Sequence, residues 1–500
     1  MIAEVVAKEN RFETYIICKG TNFDLMSEIY DRYKVPFWLG VVILQQGLLW
    51  TLYDGTADDG DSVSHYLHSR YAFEHPWLFL HLWAKPVLVT LSAPFAQFGM
   101  DGMKLFNSIC ALCASYFSFR LAKEFKVPRA ELCIPLLMFM PKYLYNSLSG
   151  LTEPLSSMMV VGGLLLLSRK KFVWATLVFS FLPFARPEGM FFLVAAGLYL
   201  IYKKEWKLTP LLLTSYVTLS LVGYLFFDQD LLWLFNKDGY ARLTHKYETF
   251  GDWTHFLLGL RKLYGYPILF LFSVGVPIFL WDSVRQWRSD HNSLLKIVSL
   301  AGIAIVIALH AIFHIFSIFS SFGLLRPLMI VSPLAAITSL YGLNGLTHWI
   351  SSSKISTVLI TALMGLIMFF PYSGNKFAYS LTQDFGLTAQ QLNSKDLAEF
   401  IKSEYPQRAK TFHNYPTLNM QLDQDPFDWR TYAKLNEHII DKNFPPKSLV
   451  IWDDWYVRVD GRVDLESMDN HLQLIKVREF STKDKWNATR KFVVYKTSGL

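Results

Sequence analysis

The sequence predicts an α-helical polytopic membrane protein of about eleven transmembrane helices with a small C-terminal α/β soluble domain. Three observations predict it. The chain is 52% hydrophobic and only 18% charged, where a soluble protein is roughly a quarter charged, and its mean hydropathy is +0.24. The missing charge is concentrated in apolar blocks whose length approaches the ~20 residues that cross a bilayer. Lysine and arginine then recur in every second loop, the pattern that orients helices across a membrane.

Residues 1–36 form a mixed, charged segment without an early apolar core, so no cleavable signal peptide is predicted and the segment is cytoplasmic. Residues 37–53 act as an uncleaved signal anchor, with Arg32 and Lys34 holding the N-terminal side inside. Further spans are predicted at 103–122, 131–147, 154–168, 172–184, 189–202, 209–227, 265–281, 297–319, 326–343 and 355–371. The run 172–184 is short and is counted because the charge pattern requires it. The loops with Lys123, Lys126 and Arg129, with Arg169-Lys170-Lys171, with Lys203, Lys204 and Lys207, and with Arg285, Arg288 and Lys296 are then all cytoplasmic.

Residues 77–98 are apolar but interrupted by His81, Lys85, Pro86 and Pro94. Counting them as a span would invert every later loop. They are predicted as one or two amphipathic helices lying in the outer interface, inside a first external loop of 54–102. A second long external loop spans 228–264, and the membrane domain as a whole runs from 37 to 372. From 373 to 500 the composition becomes that of a soluble domain. It has a helix at 394–404 capped by Ser394 and strands at 448–452 and 491–496. None of the four cysteines falls in an external domain, so no disulfide framework is expected.

The net charge of +7 sits largely in short loops and does not point to nucleic acid. Walker, dinucleotide-loop, serine-elbow and paired-cysteine motifs are absent, as are the inverted repeats of many transporters.

This topology gathers polar features on the external face. Foremost is Asp58-Asp59-Gly60-Asp61, directly after the first span. A carboxylate there can take the proton of an attacking hydroxyl, and neighbouring carboxylates raise one another's pKa. A solvated Asp/Gly turn is the plainer alternative. Asp59 and Asp61 are the first candidates for a base, with Asp58 behind them. Lys85, Arg186, Arg242 and Arg326 are candidates to hold a phosphate leaving group, against simple interfacial snorkelling of each long side chain. Glu153 and Glu188 lie in Thr-Glu-Pro and Arg-Pro-Glu turns, where capping competes with substrate contact. His75 precedes the interfacial stretch and is placed near an acceptor. His245 lies with Arg242, Trp233, Tyr240, Tyr247 and Trp253 in the second loop, a mixture suited to a lipid phosphate or a sugar. His310 and His314 share a helix face. They lack a third metal ligand, so polar packing or donation to a substrate is favoured over zinc. Trp452-Asp453-Asp454-Trp455-Tyr456 suits either a domain core or a sugar contact.

The Asp-rich first external loop, the interfacial helices, the Thr152-Glu153-Pro154 and Arg186-Pro187-Glu188-Gly189 turns and the external C-terminal domain together resemble GT-C polytopic membrane glycosyltransferases, in particular mannosyltransferase-like members. The stretches Ser64-His65-Tyr66 through Lys85-Pro86 and Pro94 through Gly99 resemble uncharacterised bacterial members. The resemblance covers nearly the whole chain in architecture. It implies a sugar donor linked to polyprenyl or dolichyl phosphate and an inverting displacement with Asp59 or Asp61 as base. The acceptor would be an external glycan, lipid or protein, and the setting a bacterial inner membrane with a periplasmic active site. Some members use a divalent cation (Mg or Mn) and others none, so no cofactor is fixed. A lipid-sugar flippase and a non-catalytic assembly factor for surface glycans are the alternatives. The flippase calls for paired charges at mid-bilayer, and the centres of most predicted spans have none.

Overall fold

Among the described residues, seven helices are long and apolar enough to cross a membrane: Arg32–Leu52, Gly99–Glu124, Trp206–Phe226, Thr254–Arg285, Ser293–Ile315, Arg326–His348 and Ser353–Tyr372. They belong to a computed structural model that describes residues 22–499 apart from 237–249, 288–289, 291, 319–320, 349, 351, 382 and 441–442. Three more predicted runs fall on shorter apolar helices, Glu153–Ser168, Phe172–Phe184 and Gly189–Tyr202. At 1.5 Å per residue the first and last of these measure about 24 and 21 Å, less than the ~30 Å hydrocarbon thickness.

The predicted span 131–147 is instead broken into Cys133–Met138 and Pro141–Ser147. Pro141 explains the break, because proline disfavours a helical residue before it and cannot donate to the preceding turn; Met140 is extended, at φ −66° and ψ 121°. The first helix begins at Asn22 rather than 37. The helix Thr254–Arg285 starts inside the predicted second loop and is kinked at Gly265, whose φ of 72° suits glycine.

The helix Arg326–His348 is the centre of the membrane domain, with 89% of its apolar window buried. It crosses Thr254–Arg285 closely. A Cβ at Gly275 would meet the Thr338 carbonyl, and one at Gly342 would meet the Leu271 carbonyl. The stretch 77–98 is helical as expected, a 3-10 turn at Pro76–Leu80 and a helix at Pro86–Ala96. Leu78, Leu88, Val89 and Ala93 bury it against Met103, Phe106 and Leu155 of the long helices.

The two ends of the bundle differ in charge. One end gathers the Lys/Arg loops: Arg169 pairs with Glu124 at 2.8 Å, Arg129 bonds Asn344, and buried Lys296 lies between Asp282 (2.8 Å) and Asp290 (3.0 Å). Arg288 lies outside the described residues. The other end bears the Asp58–Asp61 loop and the C-terminal domain.

That domain is built on a five-stranded mixed sheet in the order β2-β1-β3-β5-β4, with β1 Lys410–Phe412, β2 Tyr432–Ala433, β3 Ser448–Asp453, β4 Ile475–Lys483 and β5 Thr489–Lys496. Every residue of β3 is buried, as fits a central strand. Leu397, Ile401 and Leu418 cover one face through Leu449, Ile451 and Val494. The first helix of this domain runs Ala389–Glu404 and is capped by Thr388, not Ser394. Thr388 and Gln391 form a capping box, which closes two free amides at once. Ser394 is fully buried inside the helix, bonded to Gln421 at 2.6 Å.

Candidate active site

Five charged residues at the end that bears the Asp58–Asp61 loop stand at helix starts. Asp61 opens the helix Asp61–Arg70, Lys85 caps Pro86–Ala96, Glu153 opens Glu153–Ser168, Glu188 caps Gly189–Tyr202, and Arg326 opens the turn that leads into the central helix. In three of these starts a proline follows the charged residue, at Pro86, Pro154 and Pro327. Proline fits the first helical turn because its missing N–H would have no partner there. These helix starts direct the positive ends of their dipoles toward the same region.

Further contacts fix the turns. Asn107 donates to the Ser149 and Leu151 carbonyls at 2.6 and 2.9 Å, and Ser62 Oγ takes the Gly150 amide at 2.8 Å. The Thr152-Glu153-Pro154 turn is thereby tied to the first-loop helix.

A single ion-pair network results. Arg186 holds Glu188 with two bonds of 3.1 and 2.9 Å, Glu153 at 2.6 Å and the Thr152 hydroxyl at 2.8 Å. Arg326 donates to Asp58 at 3.2 Å and to Asp61, and its Nε lies 3.8 Å from the same Glu153 oxygen. Glu153 therefore stands between the two guanidinium groups. Its other oxygen is buried with no partner among the described residues. His310 completes the chain with Glu188 at 3.0 Å. Burial alone would raise the Glu188 carboxyl, but Arg186 and His310 overrule it and hold it well below the usual carboxylate range.

Lys85 lies beside this network, donating to the Leu82 carbonyl at 3.1 Å. Burial, reinforced by Arg186, brings its ammonium down to about 7 against the opposing pull of Glu188 and Asp61. His65 is kept neutral, first by burial and then by Lys85, Arg326 and Arg186. Asp58 and Asp61 are the most accessible acids of the network, at 33% and 44% side-chain exposure against 1% for Glu153.

Asp59 points elsewhere. Its carboxylate accepts from the Tyr415 hydroxyl at 3.2 Å and the Tyr456 hydroxyl at 3.5 Å, both from the C-terminal domain. Burial and the neighbouring Asp58 raise it to about 6. The geometry thus divides three adjacent aspartates into two that face Arg326 and one that faces the soluble domain. That division was not visible in the sequence.

Of the other predicted site residues, His75 pairs with Asp425 at 2.6 Å, in the seam between the first loop and the C-terminal domain. His314 is buried beside His255, at a ring distance of 4.8 Å, and is not joined to the network; its neighbour His310 is. Arg242 and His245 lie outside the described residues, as do Tyr240 and Tyr247. Trp233 is buried and donates to the Leu219 carbonyl at 3.3 Å. Sequence reasoning missed Tyr415 and Thr417, and named Thr152 only as part of its turn. It singled out Tyr456 only as part of an aromatic segment, and Trp452 and Asp453 of that segment are core.

A cavity of about 410 Å³ opens beside the loop, between Asp54, Thr56, the Phe98–Asp101 turn and Lys395, Glu399 and Lys402 of the C-terminal domain.

Among the described residues no three His, Cys, Asp or Glu side chains gather as a set fit for a metal ion. The candidate oxygens are already engaged. Asp58 Oδ1 takes the amides of Gly60 and Ser62, while Oδ2 and Asp61 hold Arg326.

The crystal structure of ArnT from Cupriavidus metallidurans bound to undecaprenyl phosphate superposes with a TM-score of 0.60 at 13% sequence identity, covering 92% of this chain and 97% of that one. The chain shares the fold of that protein. With its seven membrane-length helices it is an integral membrane protein. No family model matches the chain, and no curated protein matches it. The contacts of Asp59 with Tyr415, Thr417 and Tyr456, and of Asp58 and Asp61 with Arg326, put the ion-pair network and the C-terminal domain at the same end of the bundle.

Proposed function

We propose that this chain is a membrane glycosyltransferase that moves a sugar from a polyprenyl-phosphate-linked donor to a hydroxyl of an external acceptor, with inversion. One observation carries it. Two arginines, Arg186 and Arg326, whose side chains are only 12% and 13% exposed, meet a more exposed carboxylate pair, Asp58 and Asp61, in one network at an end of the bundle where helix starts converge. Preorganised cations of this kind stabilise the charge that grows on a departing phosphate. ArnT with undecaprenyl phosphate supports a polyprenyl phosphate as the carrier.

In the proposed reaction the acceptor oxygen bonds to the anomeric carbon as the carbon–oxygen bond to phosphate breaks. The acceptor proton passes to Asp61, and polyprenyl phosphate leaves on Arg186 and Arg326, with Lys85 alongside. Asp58 and Asp61 occupy Arg326 before the donor arrives. The donor phosphate competes for that guanidinium and frees a carboxylate lone pair for the acceptor hydroxyl. Binding of the donor and readiness of the base are thereby coupled. The lipid tail would lie between spans near Pro183, Pro187 and Pro327, and the acceptor would enter between the first loop and the C-terminal domain, where the cavity opens. The setting would be a bacterial inner membrane, with this end periplasmic.

Proteoliposomes given a labelled polyprenyl-phosphate sugar and a membrane glycan extract test the proposal. Transfer by the intact protein, lost in Asp61→Asn and in Arg326→Gln, supports it. Full transfer in both variants contradicts it, and movement of the lipid-linked sugar across the bilayer without transfer favours a flippase.

A further inference from the structure

The C-terminal domain touches the segment around the acidic loop at several places. Gln391 donates to the Thr56 hydroxyl at 2.8 Å, and Thr56 in turn donates to the Asp58 carbonyl at 2.8 Å. Thr417 donates to the Asp59 carbonyl at 3.0 Å, beside the two tyrosine hydroxyls on the Asp59 carboxylate. His75 meets Asp425 at the far side of the loop. The tyrosines are themselves held in place. Tyr415 caps the helix Pro416–Leu422, and its ring packs on Phe492 of β5 at 5.2 Å. Tyr456 leaves a tight turn whose amides at 455, 456 and 457 all bond the buried Asp453 carboxylate. The loop is shaped to receive Tyr456: a Cβ at Gly60 would collide with its hydroxyl.

From this geometry we infer that Asp59 is a positioning residue, the pin by which the C-terminal domain sets the register of Asp58 and Asp61 against Arg326. The loop backbone makes the coupling mechanical. Asp58 and Asp61 flank Asp59 at one and two residues, and the Asp58 carboxylate bonds the amides of Gly60 and Ser62 at 2.9 and 3.3 Å. Turning residue 59 therefore turns the pair on Arg326 with it. Asp59 is taken up by the tyrosines and faces away from the guanidinium groups, so in the proposed transfer it has no proton to accept. This role rests on the proposed transfer only where activity is read; the pinning is independent of it.

The experiment compares Asp59→Asn, Asp59→Ala and the double variant Tyr415→Phe/Tyr456→Phe in the full chain. Hydrogen exchange at the amides of 60–64 and transfer from a labelled polyprenyl-phosphate sugar are both measured. Asparagine keeps two partners for the tyrosines; alanine leaves two buried hydroxyls facing a void. Expected is at least tenfold faster exchange in Asp59→Ala and in the double variant, with tenfold or greater loss of kcat. Asp59→Asn is expected to restore slow exchange, to retain a third or more of kcat and to leave the acid limb of the pH–rate profile unmoved. Unchanged exchange in Asp59→Ala overturns the inference. So does loss of kcat in Asp59→Asn to the level of Asp61→Asn with exchange still slow, which would make Asp59 the base. An absence of transfer in the intact protein, with exchange behaving as stated, would remove the proposed function and leave the pin.

Discussion

Arg326 and Asp58 meet at 3.2 Å across 268 residues of sequence, and Asp61 shares the same guanidinium. The helix that opens at Arg326 is the central one of the membrane domain, so the acidic loop is tied to the most deeply buried of the membrane-length helices among the described residues. A donor phosphate reaching Arg326 must displace a carboxylate.

That competition predicts opposite effects of one substitution. Asp61→Asn removes a competitor for Arg326 and should tighten binding of undecaprenyl phosphate about three- to tenfold, the ~1 kcal/mol range of a partly exposed ion pair. The same change should abolish transfer. Native mass spectrometry with added lipid measures the first effect, and weaker binding in the variant would contradict the exchange of partners.

Arg186 should tolerate no lysine. Its guanidinium serves Glu188 by two bonds and Glu153 and Thr152 by one each, a fork that an ammonium cannot reproduce. Arg186→Lys should lower kcat/KM on the order of a hundredfold. Arg186→Gln leaves Glu153 and Glu188 buried without their cation and should cost about 3–5 kcal/mol of stability. Thermal unfolding in detergent reads the second effect; an unchanged Tm would show that the acids are not dependent on Arg186.

Asp59 sets a pH dependence of stability. Its carboxyl is raised from 3.8 to about 6, so the fold binds its proton more tightly than the unfolded chain does. Stability from this group is greatest below about pH 4 and falls as pH rises through 6. Above pH 7 the intact protein carries a cost on the order of 3 kcal/mol, which Asp59→Asn lacks. The variant should gain Tm at pH 8 relative to the intact protein and show little difference at about pH 3, below both values. A variant that loses Tm equally at both would place the gain elsewhere.

The crossing of Thr254–Arg285 with Arg326–His348 should be intolerant of side chains. Gly342→Val would press a branched Cβ onto the Leu271 carbonyl and should cost about 1–3 kcal/mol, read as a lowered Tm. Gly365 faces open space and makes the control.

Hydropathy and composition made the membrane-length helices, the helical character of 77–98 and the separate C-terminal region legible in the sequence. The network was legible in part, since prolines after Arg326 and Glu153 mark helix starts whatever surrounds them. The exceptions have local causes. Pro141 breaks a run that hydropathy reads as continuous, and Ser394 yields to Thr388 because Gln391 completes a box three residues on. Strands β1 and β2 have three and two residues, too short to show a period, and β4 is an edge strand exposed along most of its length. The division of Asp58 and Asp61 from Asp59 depends on Arg326, Tyr415 and Tyr456, which lie more than 260 residues away along the chain.

A structure of the protein with undecaprenyl phosphate tests the central claim most directly. The predicted result is a phosphate within hydrogen-bond distance, about 3 Å, of both Arg186 and Arg326, with Asp61 released from Arg326 and turned toward the acceptor side. A phosphate bound elsewhere, such as against Lys395 and Lys402 in the cavity beside the loop, with Arg326 still held by Asp58 and Asp61, would contradict it.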